Sequence, residues 1–168
     1  KEVFFGDTDE VYFVGSCNIR GSINNEITWN GYCYTPNDIY GGCSPAIANT
    51  FLVGRNGLIT KNSACEIFGS WSFQTSGTTD TLFSVEFYDL NTGIIVGQNG
   101  KILRTTNNGT QWNALTSGTS SSLYNLAFKP DSTLIACGAN GTILQSTDKG
   151  ITWNALTTGV TNALFDID

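Results

Sequence analysis

The chain of 168 residues contains no histidine, so His-based catalytic triads, His metal ligands and histidine pH switches are excluded. It has only 3 prolines, and no apolar run approaches the roughly 20 residues needed to span a bilayer. Charged residues make up 13% of the chain, with 8 basic residues scattered among 14 acidic ones for a net charge of −6. Because nothing here neutralises phosphates, the composition argues against nucleic acid as a partner.

What the chain does contain is typical of an all-β extracellular protein. Its 19 glycines, together with many Thr, Ser and Asn residues, fill the segments between apolar runs. Apolar residues make up 40% of the chain, enough for the core of one globular domain. The sequence has no Met and begins at Lys1 without a signal peptide, so we expect a mature secreted chain, a cleavage product or an excised piece.

The four tryptophans reveal an internal repeat. They are Trp29, Trp71, Trp112 and Trp153, at intervals of 41 or 42 residues. Upstream of each lies an apolar residue followed by Gly, at Val14-Gly15, Val53-Gly54, Val96-Gly97 and Cys137-Gly138. Every tryptophan therefore occupies the same place in a repeat.

The third and fourth copies predict four short antiparallel strands each. The predicted strands of the third copy are Leu82–Tyr88, Gly93–Gln98, Lys101–Thr106 and Thr110–Thr116. Those of the fourth copy are Leu123–Phe128, Leu134–Gly138, Thr142–Gln145 and Ile151–Thr157. Asn99-Gly100 and Asn140-Gly141 predict two-residue hairpins between the middle strands. Four strands in about 41 residues match the blade of a β-propeller.

We therefore predict an all-β protein, a single β-propeller domain over residues 1–168. Its blades cover approximately residues 1–38, 39–81, 82–122 and 123–163, and residues 164–168 begin the first strand of a fifth blade. An open row of blades leaves apolar faces and a sheet edge uncovered, so we expect a larger propeller or completion by another chain. Closure with four blades is the alternative.

A turn motif of the form S-x-D-x-G-x-T-W recurs between the third and fourth strands. An Asp at its centre can accept backbone N–H groups, the Gly supplies a positive φ, and the Trp closes one side of the hairpin. The motif residues are Ser146, Asp148, Gly150, Thr152 and Trp153 in the fourth copy, Thr105, Asn107, Gly109 and Trp112 in the third, and Ser22, Asn24 and Trp29 in the first.

This motif resembles the Asp-box, or bacterial neuraminidase repeat. The run Gly93–Gly109 is similar to the photosystem II assembly and stability factor-like repeat, which many secreted bacterial proteins of the Bacteroidetes type carry. The resemblance implies a sialidase-superfamily propeller in which these turns lie on the blade periphery and are structural. It implies no activity, since one fold hosts many functions.

No catalytic constellation can be assembled from the residues. A sialidase requires inward-facing arginines, but none of the three arginines is predicted on a first strand: Arg20, Arg55 and Arg104. Acidic residues do fall at or near equivalent places on first strands, namely Glu86, Asp166, Glu2 and Asp38. Paired carboxylates would suit a glycosidase, while a solvated channel wall is the favoured interpretation.

No metal or cofactor is expected. Asp7–Glu10 and Asp89–Gly93 resemble the opening of calcium loops. Both lack the downstream bidentate Glu and lie where a turn between the first two strands belongs. Ordinary hairpins are the favoured interpretation.

Five cysteines in an acidic chain suggest an oxidising compartment. Their places in the repeat favour disulfides Cys17–Cys33 and Cys43–Cys65, with Cys33–Cys43 as the competing pair. Cys137 stands at the Val96 place and is expected to be a buried apolar thiol.

The repeat is most irregular between residues 30 and 48, where Tyr32, Tyr34 and Tyr40 offer a candidate surface for a protein or glycan. A surface loop without a ligand is the alternative. We predict a non-catalytic extracellular or cell-surface propeller module for protein or glycan binding or for assembly. The alternatives are a glycoside hydrolase whose catalytic carboxylates lie partly outside this chain, and a structural spacer of a large adhesin or filament.

Overall fold

The structure, a computed structural model, describes the backbone of residues 2–5, 10–15, 18–23, 30–32, 38–46, 49–63, 71–129 and 131–167, and side chains only in the ranges that begin at residue 38. Within these residues, sixteen strands form four antiparallel sheets of four strands, each sheet taking its strands in chain order. We call the sheets blades 1 to 4. In the same ranges no helix has the length and apolar character needed to cross a bilayer.

The strand bounds follow the repeat. Blade 1 contains β1 (Glu2–Phe5), β2 (Glu10–Gly15), β3 (Asn18–Ile23) and β4 (Asn30–Tyr32). Blade 2 contains β5 (Ile39–Ala46), β6 (Asn49–Gly54), β7 (Ile59–Asn62) and β8 (Trp71–Phe73). Blade 3 contains β9 (Leu82–Phe87), β10 (Gly93–Gly97), β11 (Ile102–Thr105) and β12 (Asn113–Leu115). Blade 4 contains β13 (Leu123–Phe128), β14 (Leu134–Gly138), β15 (Ile143–Ser146) and β16 (Asn154–Leu156).

The predicted Asn-Gly hairpins are confirmed by the backbone. Asn99 and Gly100 both have positive φ, 57° and 67°, and Lys101 N donates to Gln98 O at 3.0 Å. Positive φ at both central residues defines the hairpin turn whose twist matches that of the flanking strands. The same turn recurs at Asn56-Gly57 and Asn140-Gly141. The fourth strands β12 and β16 are shorter than predicted because the residues before them form the turn.

The apolar core lies between blades. One cluster combines Phe51, Val53 and Ile59 of blade 2 with Leu82, Val85, Ile95, Leu103 and Trp112 of blade 3. A second combines Ile94, Val96 and Ile102 of blade 3 with Leu123, Leu126, Leu134, Ala136 and Leu144 of blade 4, and Trp153 packs against it. Burying each such side chain contributes roughly 1.5–3 kcal/mol, so neighbouring blades depend on each other for stability. Trp29 lies outside the described residues.

The predicted first strand of a fifth blade has no strand pairing in residues 164–167. Leu164 N instead donates to Gly138 O at 2.9 Å, which holds the segment beside blade 4. Regular pairing would need a second strand, which these residues do not contain.

Candidate binding surface on the first strands

In blades 2, 3 and 4, the first strands of neighbouring blades contact each other. Each of these three strands contains a β-bulge at the same place. In β5, β9 and β13 the register with the second strand slips by one residue near the start of the strand. The residues left without a partner in the ladder are Tyr40, Phe83 and Tyr124. A bulge takes the extra residue out of the regular alternation and redirects its side chain. Three consecutive blades thus present an aromatic side chain at the same place.

These rings form a continuous row across the blades, which we call the aromatic row. The ring centroids of Tyr40 and Phe83 are 5.7 Å apart, those of Phe83 and Tyr124 are 5.4 Å apart, and those of Tyr124 and Phe165 are 5.1 Å apart. The end rings are the most accessible, since Tyr40 is 37% and Phe165 70% exposed. The row therefore offers ring edges and faces along the line of first strands.

A second row of polar residues runs beside it, one residue further along each strand. Ser84 Oγ donates to Asn125 Oδ1 at 3.1 Å, and Asn125 Nδ2 donates to the Asp166 carboxylate. Blade 2 has Gly41 at this place, where a Cβ would lie 2.4 Å from the Phe83 carbonyl oxygen. We call Ser84, Asn125 and Asp166 the polar row. It places a carboxylate beside the exposed end of the aromatic row.

A thiol and a carboxyl group meet between β5 and β9. Cys43 Sγ donates to Glu86 Oε2 at 3.8 Å. Burial raises the pKa of Glu86 from 4.5 to about 7, although the hydrogen bond from Cys43 acts to lower it. Burial, reinforced by the nearby Glu86 charge, raises the pKa of Cys43 to about 12. Glu86 can therefore exchange a proton near neutral pH, while Cys43 stays a thiol.

The structure corrects the disulfide prediction at Cys43. Its thiol is free and points at Glu86, so neither the Cys43–Cys65 pair nor the competing Cys33–Cys43 pair is formed. Sequence spacing placed Cys43 at the end of a first strand, but only the packing of β5 on β9 decided where the side chain points. Cys17, Cys33 and Cys65 lie outside the described residues, and Cys17–Cys33 stays a prediction. Cys137 is buried and free, as predicted.

In blade 4 the motif turn between the third and fourth strands is closed by Asp148. Its Oδ1 accepts the Ser146 hydroxyl at 2.8 Å and the backbone N–H groups of Ile151 and Thr152 at 3.0 and 2.9 Å. Its Oδ2 accepts the Thr152 hydroxyl at 2.6 Å. Partial desolvation acts to raise the pKa of Asp148, but these hydrogen bonds lower it to about 2. The carboxylate is thus engaged within its own turn.

Blade 3 has the same turn, with an asparagine side chain in place of the aspartate. Thr105 Oγ1 donates to Asn107 Oδ1 at 2.9 Å, and Gln111 N donates to the same oxygen at 3.0 Å. Gly109 N donates to Thr105 Oγ1 at 3.0 Å, as Gly150 N does to Ser146 Oγ at 2.9 Å in blade 4. Asn24 lies outside the described residues, and Ser22 is described only by its backbone in β3.

Each motif turn also packs against the preceding blade. A Cβ at Gly109 would lie 2.4 Å from Cε1 of Phe51, and a Cβ at Gly150 would lie 2.3 Å from Cδ1 of Ile94. Both glycines have positive φ, 76° and 79°. The glycine therefore serves two purposes, the turn conformation and close contact between blades.

Only one of the tyrosines predicted to form a binding surface lies in the aromatic row. Of the three tyrosines proposed as a surface, Tyr40 lies in the aromatic row, Tyr32 is described only by its backbone at the end of β4, and Tyr34 lies outside the described residues. Phe83 and Phe165 were not singled out, although they recur with Tyr40 and Tyr124 at the second position of the first strands of blades 2 to 4 and of the segment that begins at residue 164. This recurrence of an aromatic residue at one repeat position is the sequence signal that could have identified them.

The acidic and basic candidates are distributed as follows. None of the three arginines lies on a first strand: Arg20 is in β3, Arg55 follows β6, and Arg104 is in β11. Asp38 pairs with Arg55 at 3.8 Å on the surface. Asp89 Oδ1 accepts the N–H groups of Asn91 and Thr92 at 2.8 and 2.7 Å, which is the geometry of an Asx turn. Asp7–Asp9 lie outside the described residues, and the side chain of Glu2 is not described.

Successive four-stranded antiparallel blades, with their first strands side by side and the core between them, define the chain as part of a β-propeller. No protein-family model matches the chain, and no curated protein matches its sequence. Among solved structures it is similar to YCF48 from Cyanidioschyzon merolae, with a TM-score of 0.74 and 15% identity over 90% of this chain and 51% of that one.

Two further solved structures are similar to the chain. YCF48 bound to D1 peptide has a TM-score of 0.69 and 15% identity, covering 89% of this chain and 52% of that one. An ancestral GH74 enzyme has a TM-score of 0.78 and 16% identity, covering 94% of this chain and 24% of that one. The chain thus spans about half the length of the YCF48 structures and about a quarter of the GH74 enzyme. At these identities the likeness establishes the fold alone.

Proposed function

We propose that this chain is a non-catalytic β-propeller module, secreted or at the cell surface, that binds an extended segment of a partner protein along the aromatic row. The observation that carries the proposal is the bulge repeated in β5, β9 and β13, which aligns Tyr40, Phe83 and Tyr124 with Phe165. Bulges that redirect side chains are enriched beside functional sites. Aromatic residues supply large contact area at little cost in side-chain entropy.

The negative charge of the chain indicates which chemical groups a partner segment should carry. The chain carries a net charge of −6, and the polar row ends in the exposed carboxylate of Asp166. A partner segment that places Lys or Arg beside apolar side chains would satisfy both the rings and the carboxylate. The fold comparison gives a precedent, because one similar structure is YCF48 bound to D1 peptide.

The proposal is tested with a library of immobilised extended peptides and a parallel glycan array. Replacing both end rings, Tyr40→Ser with Phe165→Ser, should weaken peptide binding about tenfold or more, as expected when anchor aromatics are lost. Phe73→Ser is the matched control, because Phe73 is an exposed phenylalanine on β8, away from the row. Equal binding by both variants, or binding to glycans alone, would overturn the peptide proposal.

The extracellular assignment rests on the cysteine content and is tested by counting thiols. With Cys17–Cys33 paired, three cysteines should be alkylated in the unfolded protein before reduction and all 5 after it. Alkylation of all 5 cysteines without reduction, in protein isolated from its native source, would contradict the assignment.

Glu86 favours a second candidate function, glycoside hydrolysis. A half-buried carboxyl group with a pKa of about 7 has the property required of a general acid. In that case the second carboxylate would lie outside this chain. Turnover of aryl glycosides by a protein that contains this chain, lost in Glu86→Gln and retained in Asp166→Asn, would support this candidate.

A further inference from the structure

The interfaces between blades 2 and 3 and between blades 3 and 4 are built from equivalent residues. In each, a motif glycine packs on an apolar residue of the preceding blade, Gly109 on Phe51 and Gly150 on Ile94. Directly across the strands from that apolar residue stands a side chain that bonds the same turn. Lys61 Nζ donates to Asn108 O at 2.9 Å. In the same way, Arg104 Nε of blade 3 donates to Lys149 O in the turn of blade 4.

Blade 4 carries the same pair on its far side. Ile135 stands opposite Gln145 in the β14–β15 register, at the places of Ile94 and Arg104. A Gln side chain retains an N–H donor for a carbonyl oxygen. Blade 4 therefore keeps both elements of the interface, an apolar seat and a donor.

Ile135 on this side is 6% exposed, but two other apolar side chains are more exposed than their counterparts. Leu156 is 43% exposed, whereas Leu115 packs against the cluster between blades 3 and 4. Ile143 is partly exposed, whereas Ile102 is fully buried. This difference in exposure shows that the next blade buries these apolar side chains of the preceding blade.

Only some repeat copies can supply the covering turn. A side chain at the place of Gly109 or Gly150 would enter the space of Phe51 or Ile94, so the copy needs Gly three residues before its Trp. The first copy has Glu26 at that place, and the second has Phe68. Blade 1, whether of the same chain or of a second copy, is therefore unsuited to cover blade 4 through this turn.

Residues 164–167 already occupy the place of the next first strand. Phe165 stacks on Tyr124, continuing the aromatic row, and Asp166 accepts from Asn125 as Asn125 accepts from Ser84. We propose that the far side of blade 4, where Ile143 is partly exposed and Leu156 is exposed, docks a fifth blade whose first strand is this segment, and whose turn seats a Gly on Ile135 and a carbonyl oxygen at Gln145. This inference does not depend on any ligand of the aromatic row.

The test extends the chain with its own repeat. Residues 128–163 are added again directly after Asp168, so that the 164–168 segment becomes the first strand of a complete blade. The control carries Gly150→Glu in the added copy only, reproducing the residue found in the first copy. The amides of β15 and β16 in the original blade 4 should exchange about tenfold or more slowly in the extended chain than in the 168-residue chain, because the added blade covers them.

In the control, the same amides should exchange as fast as they do in the 168-residue chain. Equal behaviour of the two extended chains, or no gain in protection in either, would overturn the inference. Light scattering on the 168-residue chain is the second measurement, for which we expect a monomer. A closed dimer that protects Leu156 and Phe165 would show that a second copy covers blade 4 and would also overturn it.

Discussion

Arg104 on β11 donates a hydrogen bond from Nε to the backbone carbonyl oxygen of Lys149 at 3.0 Å, joining blade 3 to the motif turn of blade 4. Lys149 has a φ of 59° and directly precedes the glycine that packs on Ile94. Lys61 makes the equivalent contact with Asn108, whose φ is 54°. The motif turn therefore connects consecutive blades as well as closing its own hairpin.

We expect Arg104→Met to destabilise the protein by about 1–3 kcal/mol, because a charged hydrogen bond between blades is lost while the aliphatic contact is kept. Gln145→Met is the matched control. It removes the equivalent side chain of blade 4, for which the described part of the chain contains no turn of a following blade, and should change the free energy of unfolding little. Urea denaturation of the two variants measures the difference, and equal losses would contradict the role given to Arg104.

Gly150→Ala should be more damaging than Gly118→Ala. Both residues have nearly the same φ, 79° and 78°, so both variants bear the strain of a left-handed alanine, about 1–3 kcal/mol. Only at Gly150 would the new methyl group meet Ile94, since nothing lies within 4 Å of a Cβ at Gly118.

Ile94→Val removes the Cδ1 atom that the Gly150→Ala methyl group would meet. In the double variant we expect part of the lost stability to return, which a double-mutant cycle detects. Strict additivity of the two substitutions would show that the contact between blades is not the cause.

Asp148→Asn should change how stability depends on pH. The pKa of Asp148 is lowered from 3.8 to about 2 on folding, so its contribution is present above 3.8 and is lost as the pH falls towards 2. The loss of stability in Asp148→Asn, relative to the wild type, should therefore shrink over that interval. Asn107→Asp is the reciprocal variant and should introduce a similar acid dependence in blade 3. Thermal unfolding at a series of pH values measures both.

Glu86→Gln should have the opposite pH signature. Burial raises the pKa of Glu86 from 4.5 to about 7, so the folded state holds the proton more tightly than the unfolded state. The contribution of Glu86 to stability should be greatest below pH 4.5 and decline as the pH rises through 7, and thermal unfolding at a series of pH values should show that Glu86→Gln abolishes this decline.

Cys43→Ala is the companion variant for the same carboxyl group. It removes the hydrogen bond that lowers the pKa of Glu86, so the pKa should move higher still. Carbon-13 NMR of the Glu86 carboxyl group measures it directly. An ordinary Glu titration near 4.5 would contradict the burial described for this residue.

Sequence reasoning succeeds here where structure depends on near neighbours along the chain. Residue type alone identifies the Asn99-Gly100 hairpin, because few dipeptides adopt two positive φ angles cheaply. The bounds of β13 and β14 were predicted correctly because apolar alternation and flanking turn residues mark them. Repetition then extended these local assignments to a propeller, since each blade must bury its faces on similar neighbours.

The candidate surface needed the tertiary structure. Cys43 was assigned to a disulfide, whereas the stacking of β5 on β9 directs its thiol at Glu86, which is 43 residues away. The aromatic row likewise depends on bulges in three strands, and a one-residue slip in register is not visible in an apolar pattern.

The sequence by itself determined the repeat, the strands and the turns of this protein, because short-range backbone preferences and the apolar period decide them. Only the tertiary structure decided which side chains of different blades meet: Arg104 with the Lys149 carbonyl, Phe83 with Tyr124, and Cys43 with Glu86. The physical reason is that these contacts depend on how one sheet is rotated and shifted against the next, and side-chain packing between blades sets that geometry.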